Sequence, residues 1–376
     1  MDAFLLRERI IEEYEHYVRS FIHINDPGIS RVVNDAMRRN LLWPDPLIQL
    51  NPSFESGGTV ESLVRKGVIH PECATIFRDR RSSPSRSLRL HRHQEEALRA
   101  AETGANYVLT TGTGSGKSLA YILPVVDYVL KHPEHKGIKA IIVYPLNALA
   151  NSQLGELERF IDQGYPGGKG PVTFRRYTGQ ENDEEKLEVN ETPPDILLTN
   201  YVMLELIMTR PKERKLVQHA AGLRFLILDE LHTYRGRQGA DVSLLVRRAR
   251  EYFRAPRMQM IGTSATLAGP GTLAAQKREV AEIASRLFGA QVHPEHVIGE
   301  TLQRVTPETD LQDPLFKESL SRIVASDGVY PTTYKEFVRD PRAIWIESTF
   351  GVMRNPEGLL VRVKPRSIRG GKGAAG

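Results

Sequence analysis

The sequence predicts an α/β fold: a largely parallel sheet with helices on both faces, preceded by a mainly helical N-terminal extension. Three observations predict it. Between residues 86 and 290, short apolar runs rich in β-branched residues alternate with longer amphipathic stretches. The first of these runs leads into a glycine-rich turn and then a helix, a strand–turn–helix unit. The chain opens on "MDAFLLRERIIEEYEHYVRSF", in which acidic residues sit among apolar ones and no small-residue cleavage site follows. That start reads as an amphipathic helix and not as a signal peptide.

The strand runs, in order, are "NYVLTT", "KAIIVYP", "VTFRRY", "DILLTN", "RFLILDE" and "MQMIGTSAT". Strands alternating with helices imply βαβ units and a sheet covered on both faces. The chain's 376 residues suit two or three domains. Composition separates an N-terminal accessory region with a basic linker (1–85), the alternating region (86–290) and a less regular segment (291–376) that closes in "RGGKGAAG".

Hydrophobic residues make up 40% and charged residues 26%, an ordinary balance for a globular chain. No apolar run approaches the roughly 18 residues that a membrane span needs, so no membrane partner is expected and the cytoplasm is the expected compartment. The single cysteine, Cys73, excludes an internal disulfide framework and a multi-cysteine zinc site. A net charge of +5 suits a polyanionic partner. The most basic stretch, "RDRRSSPSRSLRLHRH" (78–93), reads equally as a solvated linker or as a phosphate-contacting arm. "HPEH" occurs twice, but proline forbids the regular helix of a H-E-x-x-H zinc motif, and exposed turns are the expectation.

The chemistry concentrates at "TTGTGSGKS", residues 110–118. The phosphate-loop pattern G-x-x-x-x-G-K-[ST] wants glycine at 111, where Thr111 stands. The rest fits: a strand over 107–110 feeds a turn, and a helix begins at Lys117-Ser118. Such a turn aims backbone N–H groups and the positive helix end at a phosphate chain. Thr111, Gly112, Thr113, Gly114, Ser115, Gly116, Lys117 and Ser118 would form the ATP cradle. Lys117 would reach the β- and γ-phosphates and the Ser118 hydroxyl would hold Mg²⁺. A glycine turn of purely structural use is the alternative. "RFLILDELH" then places Asp229 and Glu230 at the end of a second buried strand. Asp229 there can hold Mg²⁺ and Glu230 can polarise the attacking water, the division of labour that phosphoryl transfer needs.

The ordered series Gln94, "TGTGSGKS", "YPLNALANSQ", "YTGQ", "LLTNYVML", "DELH" and "GTSAT" resembles the first RecA-like domain of a superfamily 2 DExH-box helicase. In that superfamily a small residue commonly replaces the first loop glycine, which accommodates Thr111. The resemblance implies that Gln94 reads the adenine edge. It implies that Pro145, Leu149 and Gln153, then Thr178-Gly179, then Thr199-Asn200-Tyr201, lie along a nucleic-acid backbone. It gives His232 and Ser264-Ala265-Thr266 the coupling of nucleotide state to strand movement. "DELHTYRGRQGADVSLLVRRAR" narrows the likeness to large helicases with a C-terminal cysteine-cluster domain, among them proteins of DNA repair and anti-phage defence. "DPRAIWIESTFGVM" is similar to their connector into a second motor domain. Arg235, Arg237 and Arg247-Arg248 would then face nucleic acid or that domain, or else lie on a solvated helix face.

The resemblance implies an ATP- and Mg²⁺-dependent helicase or translocase acting on nucleic acid, DNA ahead of RNA. An RNA helicase, a duplex translocase and a non-catalytic nucleic-acid-binding module stay open as alternatives. Residues 291–376 contain no Q-x-x-G-R-x-G-R motif and no cysteine cluster. The expectation is therefore a portion of a longer enzyme, poorly active by itself, whose second motor domain lies elsewhere.

Overall fold

The computed structural model describes residues 2–21, 24–38, 46–79, 86–112, 114–163, 165–265, 271–326 and 330–367. Two compact units divide the chain: Ser53–Gln303, and Met1–Pro52 together with Arg304–Gly376.

The unit Ser53–Gln303 is built on seven strands: β1 (Tyr107–Thr110), β2 (Ala140–Tyr144), β3 (Phe174–Arg176), β4 (Ile196–Asn200), β5 (Phe225–Leu228), β6 (Gln259–Ser264) and β7 (Val297–Gly299). Their order across the sheet is β7-β1-β6-β5-β2-β4-β3, and every pairing is parallel. All six runs read from the sequence are strands. The seventh comes from the short stretch "VIG".

Side chains alternate between the two faces of a strand, and both faces here are buried. Tyr107, Leu109, Ile142, Tyr144, Ile196, Leu198 and Ile227 join one core, packed by the helices α1 (Arg92–Glu102), α2 (Leu119–Lys131) and α3 (Asn147–Leu157). Val108, Ile141, Val143, Leu197, Leu226 and Met260 join the other. That face is covered by α5 (Tyr201–Thr209), α7 (Gly236–Tyr252) and α8 (Leu273–Phe288). Two further helices, α4 (Asp183–Glu191) and α6 (Arg214–His219), lie along the connections β3–β4 and β4–β5. The result is a three-layer α/β/α unit.

Two local features show how the sequence tolerates exceptions. Pro124 lies inside α2, where its missing N–H would leave the Ala120 carbonyl without its helical donor. The buried Tyr107 hydroxyl supplies that bond instead, at 3.0 Å. In β6, a Cβ at Gly262 would meet the Leu231 Cδ1 atom at 2.4 Å. Glycine there lets the segment after the acidic pair lie flat on the strand.

The second unit is smaller. It holds the helices Ala3–Phe21, Pro27–Arg38, Pro314–Ala325 and Pro341–Ile346, a strand pair Leu47–Ile48 with Arg366–Ser367, and the hairpin Val352–Arg354/Leu360–Arg362. Glu347 ties it internally by accepting the Val305 and Thr306 N–H groups at 2.9 and 2.8 Å. Asp340 caps the helix of the connector-like segment through the Arg342 N–H, at 2.8 Å. Among the described residues no helix is long and apolar enough to cross a membrane.

Candidate nucleotide-binding site

In parallel α/β sheets, ligands bind at the carboxyl ends of the strands. The loop after β1 and the acidic pair after β5 both lie at that edge, with β6 between them. Lys117 and Glu230, 113 residues apart in sequence, meet there: Lys117 Nζ donates to Glu230 Oε1 at 3.4 Å.

The loop turns through left-handed backbone at two glycines. Gly114 and Gly116 adopt φ of 77° and 69°, and both are exposed. A Cβ at Gly116 would also meet Gln94 Nε2 at 2.7 Å, so glycine is required twice over. Thr111, the departure from the motif, is fully buried, and its Oγ1 lies 2.7 Å from Ser115 Oγ. The extra hydroxyl braces the two ends of the turn across its base. The Gly112 N–H donates to Glu300 Oε2, just past β7, at 3.1 Å. Thr113 lies outside the described residues. Lys117 and Ser118 are half-buried at the start of α2.

Gln94, expected at the adenine edge, is buried in the first turn of α1. Its Oε1 accepts the His91 N–H at 2.8 Å, and its Nε2 donates to the Gly116 carbonyl at 2.9 Å. One N–H and one lone pair of the amide remain for a base.

The acidic pair is held by a residue that stands in "GTSAT" but was given no role there. Thr263, fully buried in β6, donates its hydroxyl to Asp229 Oδ1 and accepts the Glu230 N–H, the latter at 3.1 Å. Glu230 needs that support because it sits at φ 51°, ψ 55°, left-handed backbone for a residue with a Cβ. Such a conformation costs about 1–2 kcal/mol. Thr233 adds its N–H and hydroxyl to the Glu230 carbonyl at 2.9 and 2.8 Å. Burial pushes the Asp229 pKa up, and Glu230 beside it works in the same sense against the Thr263 bond. A divalent cation would supply the charge that this pocket lacks. His232 Nδ1 lies 3.2 Å from Glu230 Oε2 without hydrogen-bond geometry. Ser264 is buried at the end of β6, and Thr266 lies outside the described residues.

The residues expected along nucleic acid cluster at the ends of β2, β3 and β4, but their polar groups are largely turned on each other. The Glu181 carboxylate accepts the Thr178 N–H, the Gly179 N–H and the Thr178 hydroxyl at 2.8, 2.8 and 3.0 Å, and the Arg176 guanidinium at 2.8 Å. Burial works to raise the Glu181 pKa, but these donors outweigh it and hold it below the ordinary carboxylate value. The Thr199 hydroxyl donates to the Tyr177 carbonyl at 2.7 Å. Asn200 caps α5 through the Met203 N–H and donates to Asn147 Oδ1, at 2.7 Å each. Pro145, Leu149 and Gln153 are half-buried on the β2–α3 side, and Gln153 Oε1 is buried without a partner among the described residues. Arg235 and Arg237 are exposed beside the acidic pair, and Arg248 pairs with Glu205 at 3.0 Å.

Comparison with known proteins agrees with this geometry. Residues 91–273 match the family model described as DEAD/DEAH box helicase. The Druantia protein DruE of Escherichia coli is 25% identical over 371 aligned positions, covering 68% of this chain and 20% of that protein. The uncharacterized ATP-dependent helicase YprA of Bacillus subtilis is 33% identical over 189, covering 50% of this chain and 24% of that protein. Among solved structures, the helicase MrfA bound to DNA is similar with a TM-score of 0.52 and 25% identity, over 68% of this chain and 30% of that one. The chain thus spans about a quarter or less of the length of the two relatives.

Proposed function

We propose that the chain, built around the DEAD/DEAH box helicase domain of residues 91–273, is the ATP-binding motor portion of a DNA helicase or translocase. The observation that carries this is the meeting of Lys117 and Glu230 at the carboxyl edge of one parallel sheet, with Thr263 holding the acidic pair. Lys117 binds and orients the β- and γ-phosphates. The exposed N–H groups of the glycine turn receive the phosphate oxygens, and Gln94 presents its remaining amide functions to the adenine. Ser118 and Asp229 would hold Mg²⁺, which when bound offsets phosphate charge. Glu230 accepts the proton of the attacking water.

Nucleic acid lies across the ends of β2, β3 and β4. There Pro145 and Gln153 face the strand, and Thr178, Gly179, Thr199 and Asn200 fix the shape of the loops that carry it. His232 and Ser264 relay the nucleotide state. An arginine from a second motor domain would complete the site, an addition worth roughly 10³–10⁵ in rate where such groups act in related NTPases. DNA-bound MrfA favours DNA over RNA as the substrate, and a cytoplasmic location follows from that role.

Binding of fluorescent single-stranded DNA and RNA across a salt series tests this reading. Backbone contacts release counterions, so log affinity should fall linearly with log salt for every sequence tried. Sequence-specific binding that survives high salt would overturn the reading in favour of a base-reading module.

A further inference from the structure

The underside of the phosphate loop is held by a residue outside the motif series. His93 is fully buried, its ring set against Phe54 and His91 with centroids 5.7 and 5.5 Å away. His93 Nε2 lies 2.9 Å from the Ser115 carbonyl oxygen. A carbonyl only accepts, so the proton belongs on Nε2. Nδ1 is then a bare lone pair, buried and without a partner among the described residues. Burial drags the His93 pKa down to about 4, against the opposing pull of the Ser115 bond, so the ring is neutral at neutral pH.

Gln94 repeats the contact one peptide further on, donating to the Gly116 carbonyl at 2.9 Å. In a trans peptide the C=O and the following N–H point to opposite sides. Drawing the Ser115 carbonyl toward α1 therefore turns the Gly116 N–H away from it. Drawing in the Gly116 carbonyl does the same for the Lys117 N–H. Two successive N–H groups are thereby presented on the outer side of the loop, the concave arrangement that receives an anion. The Thr111–Ser115 hydroxyl contact ties the Ser115 side chain to the base of the same turn.

We propose that His93 is a positioning residue for nucleotide binding, setting the Ser115–Gly116 peptide plane so that the Gly116 N–H meets a phosphate oxygen of the bound nucleoside triphosphate. The proposal rests on the reading of residues 111–118 as an ATP loop. His93 acts through Ser115 and does not itself touch the nucleotide.

The test is binding of a fluorescent ATP analogue to the whole chain, with thermal melting and single-stranded DNA binding followed on the same samples. His93→Phe keeps the ring and its packing but removes the donor. It should weaken nucleotide binding about tenfold and leave DNA binding unchanged. His93→Gln, whose amide nitrogen reaches about as far as Nε2, should recover most of the loss. Lys117→Ala separates the two levels of the argument. Wild-type nucleotide affinity in that variant would remove the ATP-loop reading itself. Loss of binding in Lys117→Ala beside wild-type affinity in folded His93→Phe would overturn the role of His93 alone. Should His93→Phe not fold, His93→Gln against His93→Met asks the same question, since methionine matches glutamine in length and lacks the donor. Tighter binding by the glutamine variant supports the proposal, and equal affinity sinks it.

Discussion

Two turns at the same edge of the sheet, one expected to cradle a nucleotide's phosphates and the other to lie along a nucleic-acid backbone, are built in opposite senses. In the loop after β1, the carbonyls of Ser115 and Gly116 are drawn inward by His93 and Gln94, which leaves the N–H groups facing out. In the turn after β3, the N–H groups of Thr178 and Gly179 face inward and close on the chain's own Glu181. The first turn is ready for a foreign anion, whereas the second already carries one. A motif of small hydroxyl and glycine residues marks both. What distinguishes them is which end of the peptide dipole the neighbouring side chains engage.

The difference predicts a double dissociation. The largest effect falls on chemistry at the first turn's partner. Glu230→Gln keeps the shape and loses the base, so ATP binding should hold within about threefold while phosphate release falls by about 10²–10⁴. Hydrolysis within twofold of wild type would remove Glu230 from that role. Its thermal melt should barely move, because Glu230 is partly exposed and belongs to no core.

Glu181→Ala should do the reverse. It strands the buried Thr178 N–H and hydroxyl, the Gly179 N–H and Arg176, at an expected cost of about 3 kcal/mol in folding stability, read from urea unfolding midpoints. Nucleotide affinity measured under folding conditions should be unchanged. A variant as stable as wild type would show that the turn is held by other means, and the contrast between the two turns would fail.

The smallest of these effects comes from pH. The unfolded chain takes a proton on His93 near its ordinary pKa of 6.5, and the fold refuses it until about 4. The lowered folded value means that stability is fully present above pH 6.5 and is lost as pH falls toward 4. Between pH 7.5 and 5 the loss from this group should be about 2 kcal/mol. His91, also lowered by burial, acts in the same sense. Unfolding midpoints at the two pH values should converge in His93→Phe relative to wild type. An unaltered pH slope would show that His93 titrates as freely in the fold as out of it.

How much of this was legible in the sequence follows from the range of the forces involved. Five of the strands were legible because a strand buried on both faces needs a continuous apolar run, and "KAIIVYP" or "RFLILDE" is such a run; the edge strand Phe174–Arg176 is only three residues of "VTFRRY". The seventh, Val297–Gly299, is three residues long and takes its identity from lying beside β1, which no local pattern records. That the loop after β1 and the acidic pair would meet was legible because glycine, lysine and paired carboxylates have few other reasons to stand at strand ends. Thr111 was legible only as a departure. Its use as a brace depends on Ser115 folding back over it. Thr263 and His93 were given no role for a common reason. Each acts by tertiary contact, 33 residues from Glu230 in the first case and 22 from Ser115 in the second, and each is an ordinary residue in its own segment. The resemblance assigned Gln94 to the adenine edge but did not give the two bonds that already engage its amide.

The central claim is that the loop of residues 111–118 binds ATP through Lys117, and titration of ATP into the wild-type chain and into Lys117→Ala tests it most directly. Lys117 is half-buried over the loop, with Glu230 as its ion-pair partner and no place in the core. The account predicts saturable binding by wild type, a loss of more than about a hundredfold in the variant, and matching thermal melts for the two. A folded Lys117→Ala chain that binds ATP as tightly as wild type would contradict it.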